Sequence, residues 1–132
     1  MARNFLQIAS LTALLGVVLG AFAAHGLQDK ISADQITVFQ TGVRYQFYHS
    51  FGIFITALLL QKNENVWIKR AAWSFILGII LFSGSLYLLS CRELLHLTSW
   101  KWLGPITPIG GVFFIIGWAF VFLSTFKSNN NE

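Results

Sequence analysis

Residues 5–24, FLQIASLTALLGVVLGAFAA, decide the fold, because they form a predominantly apolar stretch without a charged side chain. As a helix, these 20 residues would be about 30 Å long, which matches the hydrocarbon thickness of a bilayer. The stretch therefore predicts a transmembrane helix.

Three further apolar segments follow, at residues 38–60, 71–91 and 106–126. The segment at 38–60 is polar in its first half and apolar in its second. The connections between the segments are short, and 132 residues leave no room for a second domain. The sequence thus predicts an all-α fold, in which residues 1–132 form a single bundle of four transmembrane helices.

The composition agrees with a membrane protein. Hydrophobic residues make up 55% of the chain and charged residues 11%, whereas about 25% of the residues in soluble domains are charged. The net charge of +4 comes from basic residues placed singly or in pairs rather than in one stripe. This spacing favours membrane anchors over a nucleic-acid surface, so we expect membrane lipids and no nucleic acid as partners.

The N-terminal stretch has a second reading. Arg3, the apolar run and Ala21-Phe22-Ala23 also resemble a cleavable signal peptide. The run is longer than the apolar region of most signal peptides, which favours a retained helix.

The distribution of lysine and arginine predicts the orientation. With the N-terminus inside, the inner side holds five basic residues: Arg3, Lys62, Lys69, Arg70 and Lys127. The outer side holds Lys30, Arg92 and Lys101, with Arg44 buried near that face, so the bias is five against three or four. By the positive-inside rule, we predict both termini in the cytoplasm and a multi-pass protein of the bacterial plasma (inner) membrane.

Small residues predict how the helices pack, because close backbone approach drives association in lipid. In the first segment they recur every three or four positions, on one face of a helix. We predict helix contacts at Gly16, Gly20, Gly78, Gly84, Gly110 and Gly111. Whether the same faces also join copies into a homo-oligomer, or bind another membrane protein, stays open.

Polar residues within the apolar segments are the candidate functional residues, since ionisable groups are costly at membrane depth. On a helix, Tyr45 and His49 share one face and Thr41, Arg44 and Tyr48 share another, and we expect both faces to point into the bundle. One interpretation is a polar pocket open to the outer side, formed by His25, Arg44, Tyr45, Gln46, Tyr48 and His49. The other is a structural clamp between this segment and the loops, with the Arg44 side chain extending outward to the interface. The expected partners of Arg44 are Asp29, Asp34, Glu93 or the carbonyls at the end of the first helix.

All three histidines fall in the outer half of the predicted topology, near Cys91. They could bind zinc, copper or haem, but no two have ligand-like spacing, and His25 beside Gly26 is typical of a helix C-terminus. We therefore expect no metal and no cofactor. Motifs of nucleophilic or metal-dependent enzymes are missing from the sequence, so we expect no enzymatic activity.

Four motifs resemble one known family. They are GAFAAHGL at residues 20–27, YQFYH at 45–49, LFSGSLY at 81–87 and ITPIGG at 106–111. In this order they resemble domain-of-unknown-function family 423, a family of small bacterial membrane proteins. The resemblance implies an integral plasma-membrane protein of about this length, but no reaction, substrate or functional residue.

Three functions are consistent with the sequence. The first is a non-enzymatic protein that supports envelope integrity or the assembly of a membrane complex. The second is lipid, ion or small-molecule binding or transport through an outer-side pocket around Arg44 and His49. The third is a haem- or metal-associated redox protein that uses the histidines.

Overall fold

In a computed structural model, which describes residues 1–126, the chain folds into four helices. Their bounds are Ala2–Gly26 (α1), Ala33–Lys62 (α2), Val66–Ser90 (α3) and Leu103–Ser124 (α4). The fold is therefore all-α, as predicted. By length and composition, α1, α3 and α4 can each cross a membrane. α2 is longer, at 30 residues, but the polar residues of its first half keep it out of this group, so its crossing stays a prediction.

Local signals explain where α2 and α3 begin. Ser32 and Gln35 form a capping box, in which the Ser32 hydroxyl accepts from the Gln35 N–H and the Gln35 side chain accepts from the Ser32 N–H. α2 therefore starts at Ala33, ahead of the apolar residues that define the predicted segment 38–60. Asn65 caps α3 through its side-chain oxygen, which accepts from the Trp67 N–H at 2.9 Å.

The end of α1 differs from the prediction. Its last turn, Phe22–Gly26, is π-helical, and none of the glycines among residues 1–126 has a positive φ. Asp29 takes the left-handed conformation instead, with φ of 63°. Gly26 is therefore not a left-handed C-terminal glycine, because the wider turn continues the helix through it.

The helices pack mainly as sequence neighbours, with α1 on α2, α2 on α3, and α3 on α4. Aromatic contacts show which ends lie together. Phe5 near the start of α1 meets Trp73 of α3, and Trp67 of α3 meets Phe120 near the end of α4. The start of α1 and the end of α4 thus lie at one end of the bundle. That this end faces the cytoplasm stays a prediction. Lys127, one of the basic residues on which the predicted orientation rests, lies outside the described residues.

Glycines allow close contact at several predicted positions. A Cβ at Gly16 would lie 2.8 Å from the Phe47 ring, and one at Gly78 would meet the Phe114 ring. Gly110 contacts the backbone of Phe82 and is the tightest of these helix contacts. A Cβ at Gly20 or Gly111 would make ordinary van der Waals contact, at 3.5 and 3.8 Å from the nearest atom. Gly84 has no atom within 4 Å of its Cβ position, so the structure assigns it no packing role.

Candidate functional site

The six predicted pocket residues do not lie together. Gln46 and His49 are buried, with 4% and 5% of their surface exposed, whereas Tyr48 is 56% exposed. Arg44 and His25 are also exposed, and Tyr45 lies at the edge between the interior and the outer surface. The prediction that both polar faces of α2 point into the bundle is wrong for Arg44 and Tyr48. The inward face of α2 is already occupied by Gly42, Gln46, His49, Ser50 and Ile53.

Arg44 forms no ion pair with any residue from 1 to 126, so the expected partners Asp29, Asp34 and Glu93 do not hold it. The ion pair within residues 1–126 is formed by Lys69 and Glu64. Arg44 faces the outer surface of the bundle, about 8 Å along α2 from His49. From this depth its long side chain can extend toward a membrane interface.

His25 has a different setting from His49. It is exposed at the end of α1, and within the described residues its side chain makes no hydrogen bond. The third histidine, His96, is exposed in the connection between α3 and α4 and has a left-handed φ of 57°. Across residues 1–126, no three His, Cys, Asp or Glu side chains lie close enough to hold one metal ion.

Gln46 joins three helices. Its amide nitrogen donates to the backbone carbonyl of Thr12 in α1 at 2.7 Å, and its amide oxygen accepts from the Tyr87 hydroxyl of α3 at 2.7 Å. Ser50, one turn further along α2, donates to the Thr12 hydroxyl at 2.8 Å. Gln46 thus forms a clamp between three helices, which differs from the clamp between α2 and the loops around Arg44 that the sequence left as an alternative.

His49 lies on the same inward face of α2 and is surrounded by aromatic rings. Its ring stacks on Phe114 of α4, with 3.4 Å between the ring centroids and 6° between the planes. Phe75 of α3 lies 5.6 Å and Trp118 of α4 lies 6.3 Å from it, centroid to centroid. Nδ1 lies 2.7 Å from the carbonyl oxygen of Tyr45, one turn earlier in α2. The ring is thus held by both stacking and a hydrogen bond.

This polar group is level with the middle of the spans. Phe114, which stacks on His49, lies at the midpoint of α4, and Gly78, which meets the same ring, is the middle residue of α3. Thr12, the partner of Gln46, is about 3 Å from the middle of α1. His49 therefore lies level with the helix midpoints, whereas the sequence analysis placed it in the outer half of the predicted topology.

A groove of about 470 Å³ opens beside His49, between α2, α3 and α4. It extends along α4 from Pro108 to Trp118, a length of about 15 Å. Its walls are mainly apolar and aromatic, formed by Tyr45, His49, Phe82, Pro108, Gly111, Val112, Phe114, Ile115 and Trp118. Volumes of this size are typical of small-molecule sites.

A π-helical turn at Ile79–Ser83 of α3 shapes one wall of this groove. The Ser83 hydroxyl donates to the backbone carbonyl of Gly42 at 2.7 Å, which ties the turn to α2. Phe82 of the same turn lies in the groove wall, and its backbone packs on Gly110. Single π-helical turns within α-helices are frequent at functional sites.

The residues that complete the groove were not among the sequence candidates. Phe82, Phe114 and Trp118 lie in apolar segments, where side chains on the inward and outward faces have the same character. Gly110 and Gly111 were both predicted as helix contacts from the small residues of the last segment, and Gly111 lines the groove. The small residues and the ITPIGG motif at 106–111, which includes Pro108, were the signals for this face of α4.

Comparison with known proteins places the chain among membrane proteins without a described activity. Residues 19–111 match a family described as "Protein of unknown function (DUF423)". The chain is 44% identical over 126 residues to the UPF0382 membrane protein YwdK of Bacillus subtilis, which covers 95% of this chain and 98% of the relative. It is 43% identical over 125 residues to UPF0382 membrane protein SAB0533 of Staphylococcus aureus, with 95% and 97% covered.

A more distant relative extends the similarity to another bacterial group. The UPF0382 inner membrane protein YgdD of Escherichia coli K12 is 36% identical over 126 residues, with 96% of this chain and 92% of the relative covered. No solved structure matches the chain.

Proposed function

Since the chain belongs to the DUF423 family, whose relatives are named membrane proteins, we propose that it is a non-enzymatic membrane protein that binds a small, largely apolar molecule in the groove beside His49. This proposal replaces the expected outer-side pocket with a site at mid-span. Arg44, on the outer surface, is not part of it.

One observation carries the proposal: an open apolar groove has a single buried imidazole in its wall, at the level of the helix midpoints. A polar side chain at this depth is costly unless it has a partner or a task. Nδ1 of His49 has a partner, the Tyr45 carbonyl, and His49 also lines the groove. A few polar groups in an apolar concavity are the common pattern of ligand sites.

The chemistry of the groove favours binding over catalysis. Among the residues that line it, Tyr45 and His49 are the side chains able to exchange a proton, and the lining contains no carboxylate, thiol or amine. A nucleophile is commonly activated by a base within hydrogen-bond reach of it. The Tyr45 and His49 rings are stacked, with centroids 6.0 Å apart, and their side chains share no hydrogen bond.

We further propose that the protein lies in the bacterial plasma membrane with both termini in the cytoplasm. A relative from Escherichia coli is named an inner membrane protein. The end of the bundle with Arg3, Lys62, Lys69 and Arg70 has more basic residues than the other end, which supports this orientation.

We also propose a cellular role in envelope integrity or in the assembly of a membrane complex. The groove gives it a molecular basis, because a protein that holds a lipid-like molecule could act on the envelope through that molecule. The exposed apolar faces of α1 and α4 are equally suited to lipid and to another membrane protein, and they do not favour a protein partner.

The test is to purify the protein from its own membranes in mild detergent and to identify retained molecules by native mass spectrometry. Gly111→Leu should reduce the retained mass, because Gly111 lines the groove and its Cβ position has 3.8 Å of room, so the larger side chain extends into the space. Gly84→Leu is the matched control, since that position is open and lies away from the groove. A retained molecule that is unaffected by Gly111→Leu would contradict the proposal.

A further inference from the structure

We propose that the molecule in the groove carries a hydroxyl group that donates a hydrogen bond to Nε2 of His49. This inference rests on the proposed function and goes further, because it assigns a ligand class: an apolar alcohol or phenol. It excludes ligands whose polar atoms can only accept, such as ethers, esters and ketones.

The tautomer of His49 determines which partner fits. A carbonyl oxygen can only accept a hydrogen bond, so the 2.7 Å contact with the Tyr45 carbonyl places the hydrogen on Nδ1. In the uncharged ring, Nε2 then has a lone pair and no hydrogen. At mid-span a charged ring would be far more costly than an uncharged one. Nε2 therefore acts as an acceptor and needs a donor.

Nε2 is accessible to such a donor. Every fully enclosed side-chain nitrogen and oxygen in residues 1–126 has a hydrogen-bond partner within the protein. Nε2 of His49 has no partner among these residues, so it is not fully enclosed. His49 lines the groove, and the rings of Phe114 and Phe75 lie against it elsewhere, so the groove is the direction from which the proposed donor would approach Nε2.

Water alone is a poor occupant of this position. A buried water usually makes about three hydrogen bonds. The walls of the groove are mainly apolar, and besides His49 the polar side-chain groups of its lining are the Tyr45 hydroxyl and the Trp118 indole N–H, on two separate side chains. A hydroxyl on an apolar body satisfies Nε2 with one bond, and the body contacts the walls. Four aromatic rings give the groove flat apolar surfaces over about 15 Å, those of Tyr45, Phe82, Phe114 and Trp118. Such surfaces fit a ligand whose apolar body is a ring or an extended chain.

The test compares two probes, 4-octylphenol and its methyl ether, 4-octylanisole, in which a methyl group replaces the donating hydrogen. Binding to the full chain in lipid nanodiscs is measured by titration calorimetry, and partition into empty nanodiscs is subtracted. One hydrogen bond of this kind should make the phenol bind about tenfold more tightly than the ether. In His49→Phe, which keeps an aromatic ring on Phe114 but has no acceptor, both probes should bind like the ether.

A second measurement does not depend on a variant. In protein labelled with ¹⁵N-histidine, the Nε2 resonance of His49 should shift when the phenol is added and stay in place when the ether is added. The resonances of the exposed His25 and His96 serve as internal references.

The outcomes separate this inference from the proposed function. If both probes bind the native chain equally and Gly111→Leu removes both, the groove binds apolar molecules but the hydroxyl assignment is overturned. If neither probe binds and the purified protein retains no molecule, both proposals are overturned. A preference for the phenol that persists in His49→Phe would place the acceptor elsewhere and also overturn the assignment.

Discussion

The imidazole of His49 in α2 and the ring of Phe114 in α4 are stacked almost parallel, 3.4 Å apart between centroids. α2 and α4 otherwise make little contact within residues 1–126, since α4 packs mainly on α3. The stack is thus the main link between these two helices, and it lies at the inner wall of the groove.

Phe114→Ala should lower the stability of the protein by about 3 kcal/mol, because it removes a buried ring that packs on both His49 and Gly78. The free energy of unfolding can be measured in mixed micelles of mild and denaturing detergent. Phe122→Ala is the control: Phe122 is on the same helix but 63% exposed, so its loss should change the stability little. Equal losses of stability in Phe114→Ala and Phe122→Ala would contradict the claim that packing of Phe114 stabilises the bundle.

Gln46→Leu should destabilise the bundle by about 1–2 kcal/mol, since it removes hydrogen bonds to both α1 and α3 and leaves the Tyr87 hydroxyl without its acceptor. The same unfolding measurement applies. Gln40→Leu changes the same residue type on the exposed side of α2 and should have little effect. If Gln46→Leu were neutral, the three-helix clamp would not contribute to stability.

The sequence predicts the helices well but not their rotation. Hydropathy alone locates four apolar segments, and the polar residues mark α2 as different from the rest. A helix turns about 100° per residue, so Arg44 and His49 point about 140° apart and cannot both face the interior. Which of them does is decided by tertiary contacts with Thr12, Phe75 and Phe114, and local sequence does not contain these.

The π-helical turn of α3 could not be predicted from the sequence either. Residues 79–83, IILFS, have the character of any apolar segment, and the bond that joins the turn to another helix, from Ser83 to the Gly42 carbonyl, is a tertiary contact. The motif LFSGSLY marked the region, but it gave no reason for a wider turn.

Gly110→Ala should separate α3 from α4 and destabilise the protein by about 1–3 kcal/mol, because a Cβ there would collide with the Phe82 backbone, which cannot rotate away. Unfolding in mixed micelles gives the stability, and the distance between spin labels on α3 and α4 gives the separation. Gly104→Ala, in the first turn of α4, meets no atom within 4 Å and should be tolerated. A tolerated Gly110→Ala would show that the close approach is not needed.

Arg44→Leu should leave the fold and the groove intact and should favour membrane insertion of α2 by about 2 kcal/mol. Arg44 faces the outer surface of the bundle and has no ion-pair partner in residues 1–126. Its charge therefore contributes only the unfavourable free energy of placing an arginine within the membrane. A glycosylation reporter of insertion measures this change. Arg70→Leu, near the start of α3 and next to the Trp67 ring, should alter insertion much less, because that end lies near the interface. If Arg44→Leu instead abolished retention of the bound molecule, Arg44 would belong to the site, as the polar pocket hypothesis required, and the groove alone would not account for binding.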